Sequence, residues 1–312
     1  MTVSRRWRRL GLWGTQAILA LVLGWFVARA IHGQWDTFRT LDVSLRPRPA
    51  LLAAAVLTVL ATYGMLIGVW RAIVTGWGER LSYRSAVRIW CLSNLGRYLP
   101  GKVWSVAGLA VLARRTGVRA WAATASAVVA QAVAVGTGVS VVAVAAPTSL
   151  SAPAIAAAAV IAAGVVVVIA DGRLPRLALR LAGSDVQPAR LPLGVVGLAA
   201  VGTLLSWLTY GLAFWLVARG LFGAATLGLR EATGIFAAGY LAGLIALFAP
   251  GGVGVREAVY LAMLAPHVGG GGALALAVGS RLLLTLTEIL SALVALAIRT
   301  STKERLGDTP RI

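Results

Sequence analysis

Residues 95–108 read LGRYLPGKVWSVAG and place Arg97, Pro100, Gly101 and Lys102 inside a highly apolar chain. Proline fits the first turn of a helix but not its interior. The spacing therefore predicts two short helices meeting at Pro100-Gly101, within a stretch of about 85–116. Each half has about 15 residues, or ~23 Å at 1.5 Å per residue, short of the ~30 Å hydrocarbon core of a bilayer. A second stretch, about 234–266, breaks in the same manner at Pro250-Gly251-Gly252. Pro100-Gly101 thus returns as Pro250-Gly251, 150 residues later.

What surrounds the breaks sets the fold class. The 312 residues are 59% hydrophobic and 12% charged, with a mean hydropathy of +0.85, more apolar surface than a soluble core of this size can bury. Six segments are long enough to span alone, at about 10–31, 50–74, 119–146, 152–170, 192–218 and 273–298. Their apolar runs are continuous rather than alternating, which argues against a β-barrel. The fold predicted is an all-α polytopic membrane protein. The net charge of +19 would suit a nucleic-acid partner, but the cations sit in small clusters beside apolar runs, the pattern of cytoplasmic loops. One cysteine, Cys91, excludes an internal disulfide, and His32 and His267 alone suggest no metal cluster. The amino-terminal SRRWRR is followed by a run from Leu10 to Ala28, longer than a signal-peptide core of roughly 7–15 residues, so a retained first helix is expected.

Charge counting distinguishes two drawings of the broken stretches. If both are re-entrant hairpins, 19 of the 29 Lys and Arg lie on the amino-terminal side and six on the other. Arg97, Lys102, Arg256 and Arg281 are then left at membrane depth. If both span, the division is 14 to 11. The positive-inside rule favours the hairpins and puts both termini in the cytoplasm. The chain then reads as one domain, 1–312, of two repeats, about 10–146 and 152–298, with a polar tail at 299–312. Each repeat is span, span, hairpin, span. Three crossings invert the second relative to the first, as in many transporters.

Broken helices in lipid are tolerated where their backbone faces protein or a cavity. Each break offers a helix N-terminus, an anion site by its unpaired N–H groups and dipole. With Arg97, Lys102 and Arg256 beside the breaks, the expected ligand is a phosphate or phosphodiester headgroup. Asn94, one turn before Arg97, serves either the headgroup or a broken-helix carbonyl. Arg281 and Glu288 are seven apart, on one face; Glu257 needs a partner other than adjacent Arg256. These three are expected to balance charge or to form a proton site. Gln131 suits a helix–helix hydrogen bond. Trp7, Trp13, Trp35, Trp70, Trp77 and Trp121 read as an interfacial aromatic belt, whereas Trp104 is close enough to the break to wall a cavity. No nucleophile–base pair or P-loop occurs, and GVGVREA lacks the strand a dinucleotide loop needs, so neither catalysis nor a cofactor is expected.

NLGRYLPGKVW…ARRTGV and APGGVGVREA resemble the two signature regions of the lysylphosphatidylglycerol synthase transmembrane, or flippase-like, family. This family is also called the uncharacterised protein family 0104 and includes the membrane half of the bacterial multiple peptide resistance factor. The resemblance covers roughly 10–300 and implies an inner-membrane protein that moves or binds an amphiphilic lipid. It implies functional roles for Arg97, Pro100, Gly101, Lys102, Pro250, Gly251, Gly252, Gly254, Arg256 and Glu257. Two departures matter. No aminoacyl-transferring domain follows the last span, so synthesis of lysylphosphatidylglycerol is not expected. Gln131 stands where the family often has an acid, which argues against a cationic headgroup. The expected function is translocation of an anionic phospholipid or polyprenyl-phosphate-type lipid between leaflets. The alternatives are a non-transporting subunit that binds lipid or a glycosyltransferase partner, and a small-anion secondary transporter. A homo-oligomer or a lipid-modifying partner is compatible with either.

Overall fold

The computed structural model describes residues 46–98, 103–145, 186–223, 227–246 and 254–298, with Gly252 and parts of 160–183. In chain order the helices are α1 (Pro49–Gly76), α2 (Tyr83–Asn94) with a 3-10 turn over Leu95–Tyr98, α3 (Val103–Arg114) and α4 (Ala120–Ala145). There follow α5 (Arg173–Leu181), α6 (Leu193–Phe222), α7 (Leu229–Ile245) and α8 (Val255–Ala297). Among the described residues there is no strand. Helices α1, α4, α6 and α8 are each long and apolar enough to cross a membrane. The first three coincide with the spans expected at 50–74, 119–146 and 192–218. The span expected at 273–298 is the second part of α8, which breaks at Gly269 (φ 72°, ψ 168°) inside the glycine run. The expected span 10–31 and the tail 299–312 lie outside the described residues, as does most of 152–170.

Both broken stretches fold back on themselves. A Cβ on Gly96 would lie 2.8 Å from the Ser105 nitrogen, and one on Gly108 3.7 Å from the Ser93 Cα. As one strand of contacts ascends the other descends, which makes α2 and α3 an antiparallel hairpin. The second pair repeats this. A Cβ on Gly239 would meet the Tyr260 ring, and one on Gly243 the Arg256 side chain, so α7 and the start of α8 are antiparallel. Gly252, at φ 72°, passes so close that a Cβ there would stand 2.8 Å from the Gly243 Cα. Only glycine meets both demands.

Helices α1 and α6 form the central contact. Gly76 faces Val195, Gly202 faces Val69 and Gly220 faces Leu51 and Leu52, a set of pairings that runs antiparallel over the whole length. Small residues bring the backbones together, as is usual between helices in lipid. At the crossing, Thr62 Oγ1 donates to Thr209 Oγ1 at 2.7 Å. Each threonine opens the same tripeptide, Thr62-Tyr63-Gly64 and Thr209-Tyr210-Gly211.

Two aromatic and polar expectations are corrected. Trp70 is 2% exposed and donates through Nε1 to Ser126 Oγ at 2.8 Å. Buried Trp77 donates to the Ala189 carbonyl at 2.9 Å and packs on Trp121, ring centroids 5.6 Å apart. These indoles are core anchors rather than belt residues, each satisfied by an acceptor as a buried N–H requires. Trp7, Trp13 and Trp35 lie outside the described residues. Gln131 points outward on α4 instead of bridging described helices.

Candidate functional site

The first hairpin carries Arg97 and Tyr98 in among the long helices. Helix α2 runs antiparallel to the end of α8, with Arg88 Nη1 donating to the Ile298 carbonyl at 3.2 Å. Farther in, Arg97 Nη1 donates to Glu288 Oε1 at 2.6 Å. Ten residues of α8 separate these rungs, ~15 Å, or about half the thickness of a hydrocarbon core. Tyr63 and Tyr210 stand near mid-length on α1 and α6, at the same level. The site is therefore central along the spans.

Glu288, 5% exposed, collects donors from neighbouring elements. Tyr98 Oη donates to its Oε2 at 2.7 Å, and Tyr63 Oη approaches Oε1 at 3.4 Å. Asn94 Oδ1 accepts from Arg97 Nη2 at 3.3 Å, while Asn94 Nδ2 is buried without a hydrogen-bond partner. The second hairpin meets α8 through Glu257, whose Oε1 accepts from Arg281 Nη1 at 2.6 Å. Its other oxygen accepts from the Gly254 N–H at 2.7 Å, closing the first turn of α8. Arg281 and Glu288 share a face as expected, yet they do not pair with one another. Each reaches instead to a different hairpin.

Arg256 is held differently. Its guanidinium lies 5.3 Å from the Tyr240 ring centroid and 5.8 Å from that of Phe236, and Nη2 is 3.5 Å from Tyr260 Oη. Arg97 and Arg281 each have a carboxylate; among the described residues Arg256 forms no such pair. Cation–π contacts and a phenol offset part of its desolvation but leave its charge uncancelled.

These groups converge on one small, partly open cavity of about 50 Å³. Arg97, Arg256, Arg281 and Glu288 line it together with Tyr63, Tyr98, Tyr210, Tyr240 and Phe236. Tyr210 stacks on Phe236 at 5.2 Å. An apolar recess beside it, lined by Val59, Phe214, Val217 and Leu283, shares Tyr210, Phe236 and Leu284 with it. Guanidinium and phenol donors beside an apolar wall can receive an anionic, amphiphilic group.

Of the residues expected at the site, Arg97, Arg256, Arg281 and Glu288 meet in the cavity, and Asn94 and Glu257 each hold one of its arginines. Gly252 and Gly254 shape the second turn, both at positive φ. Trp104 is 51% exposed and does not line the cavity, because α3 turns that side outward. Pro100, Gly101, Lys102, Pro250 and Gly251 lie outside the described residues. The tyrosines were missed: four of the chain's six line the cavity. A tyrosine at mid-span, as in both Thr-Tyr-Gly tripeptides, was the available signal, since belt tyrosines sit at span ends.

No curated protein matches this chain. Residues 13–292 match a family described as the lysylphosphatidylglycerol synthase TM region, a match that takes in both hairpins and every residue of the cavity. The protein is a multi-pass membrane protein and belongs to the lysylphosphatidylglycerol synthase transmembrane-region family.

Proposed function

We propose that the protein carries an anionic lipid between leaflets, its headgroup in the central cavity and its tails against the apolar recess and the bilayer. Arg256 carries the reading: it is a cation at mid-depth, facing the cavity, whose charge no described carboxylate cancels. Keeping such a charge in lipid is expensive, and an anionic ligand offsets the cost. The phosphate of a phospholipid or a polyprenyl-phosphate-type lipid supplies that anion, with Arg97 and Arg281 as further donors. Antiparallel α1 and α6, and hairpins centred about 150 residues apart, support two inverted repeats with re-entrant turns. In this reading the protein is a carrier rather than an enzyme. It resides in the bacterial cytoplasmic membrane with both termini inside.

Liposomes containing the purified chain and a fluorescent phosphatidylglycerol, treated with a membrane-impermeant quencher, report exchange between leaflets. The expected outcome is exchange well above protein-free liposomes, reduced ~10-fold or more by Arg256→Ala, the effect of losing one charge-assisted hydrogen bond. Binding of the lipid without exchange supports the non-transporting subunit instead. Passage of inorganic phosphate but not of lipid supports the small-anion transporter.

A further inference from the structure

The two buried acids of the site are held in opposite ways, and the difference assigns them different roles. Glu257 accepts from the Gly254 N–H of its own helix, so one of its donors travels with it in any movement. Among the described residues Glu288 has no such anchor: Arg97 and Tyr98 come from the first hairpin and Tyr63 from α1. Its carboxylate occupies the donor set, one guanidinium and two phenols, that a phosphate oxygen would seek. The only described ion pair joining the first hairpin to α8 is the one between Arg97 and Glu288.

We propose that Glu288 couples lipid binding to a proton: the headgroup phosphate takes its place at Arg97 and Tyr98, and the displaced carboxylate takes up one proton from water. This rests on the anionic-lipid reading above. The exchange at Arg97 is one anion for another, so that arginine stays paired throughout. The carboxylate, 5% exposed, has no comparable second partner among the described residues. The groups that share its cavity are Tyr63 on α1, Arg97 and Tyr98 in the turn, Tyr210 on α6, Tyr240 on α7, and Arg256 and Arg281 on α8. Arg281 holds Glu257 and stands seven residues away, ~10 Å along the helix axis. Arg256 is the headgroup's own seat. A buried carboxylate without a partner is neutralised rather than left charged. No covalent bond forms or breaks. One proton enters with each lipid, and losing the Arg97 pair removes the ion pair between the first hairpin and α8, while Arg88 keeps its hydrogen bond to the Ile298 carbonyl.

The sign follows from the proton's direction. Uptake on binding makes affinity rise as pH falls, by up to about tenfold per pH unit while Glu288 is otherwise ionised. A phosphodiester stays singly charged over that range, so the slope belongs to the protein. The full chain in detergent is titrated with short-chain phosphatidylglycerol at pH 5 to 8, and proton uptake is followed in weak buffer. The expected result is uptake approaching one proton per lipid, with affinity falling as pH rises. Glu288→Gln should bind more tightly than wild type at pH 8 and show no slope, whereas Glu257→Gln, even if it binds less well, should keep the slope. Binding by the wild type that ignores pH and takes up no proton overturns this proposal alone. Failure of the wild type to bind phosphatidylglycerol at any pH overturns the anionic-lipid reading and this proposal with it. A purely structural Glu288 would lower affinity in Glu288→Gln and leave the slope intact, which also overturns it.

Discussion

Single glycines carry the two turns. A Cβ at Gly96 would press on the backbone of Ser105 and Trp104 at 2.8 Å, and one at Gly243 on the Arg256 side chain at 2.5 Å. Backbone cannot step aside as a side chain can, so Gly96→Ala should lower stability by about 1–3 kcal/mol. Gly68, with nothing within 4 Å of its Cβ position, is the control, and Gly68→Ala should be neutral or stabilise α1 by up to about 1 kcal/mol. Thermal midpoints in detergent check both. At this scale the sequence shows which residues are unusual but not what they touch. Arg97 and Glu288 stand out as charges in apolar runs. Trp70 and Tyr63, by contrast, look like ordinary membrane aromatics until packing turns one into the core and the other onto the cavity.

Helices and hairpins were the more legible level. Proline, glycine and half-length apolar runs mark both turns, and a backbone that must satisfy its hydrogen bonds in lipid leaves few other solutions. The ion pairs were less accessible, because helical spacing relates only residues of one helix. Arg281 and Glu288 share one face, but their partners come from elsewhere: Glu257 from the first part of α8, before its break at Gly269, and Arg97 from the first hairpin. The Arg281–Glu257 pair is mostly buried, at 11% and 19% side-chain exposure, so removing one member leaves the other's charge without its counter-charge. Arg281→Gln alone should cost about 3–5 kcal/mol, and the double variant Arg281→Gln/Glu257→Gln less than the sum of the two single ones. A double-mutant cycle on unfolding midpoints measures that coupling; strict additivity would mean that the contact contributes nothing.

For the molecule as a whole, the four described spans follow from hydropathy alone, while the way they assemble does not. The pairing of α1 with α6 depends on glycines spaced to face particular partners, a relation between distant segments that one sequence does not display. The charges of the cavity are also unevenly shared, since 150 residues before Arg281 stands Gln131 and before Glu288 stands Gly138. In the proposed two-repeat arrangement the site is thus furnished chiefly by the second half, which supplies Tyr210, Tyr240, Arg256, Arg281 and Glu288. The hydrogen bond between Thr62 and Thr209 joins the two Thr-Tyr-Gly tripeptides at 2.7 Å. If the halves rock against each other, this contact is the fulcrum, the place with no lever arm. The ends of the same helices, where Gly76 faces Val195, lie ~20 Å along the axis and must slide the most. In a Cys91→Ser background, a disulfide from Thr62→Cys and Thr209→Cys should leave lipid exchange near wild type, whereas one from Gly76→Cys and Val195→Cys should stop it until reduced. Comparing exchange rates before and after reductant tests this, and arrest by the central staple would rule out rocking about that point. The threonine pair would then serve less as an adhesive than as a bearing, a contact that can stay closed while everything around it turns.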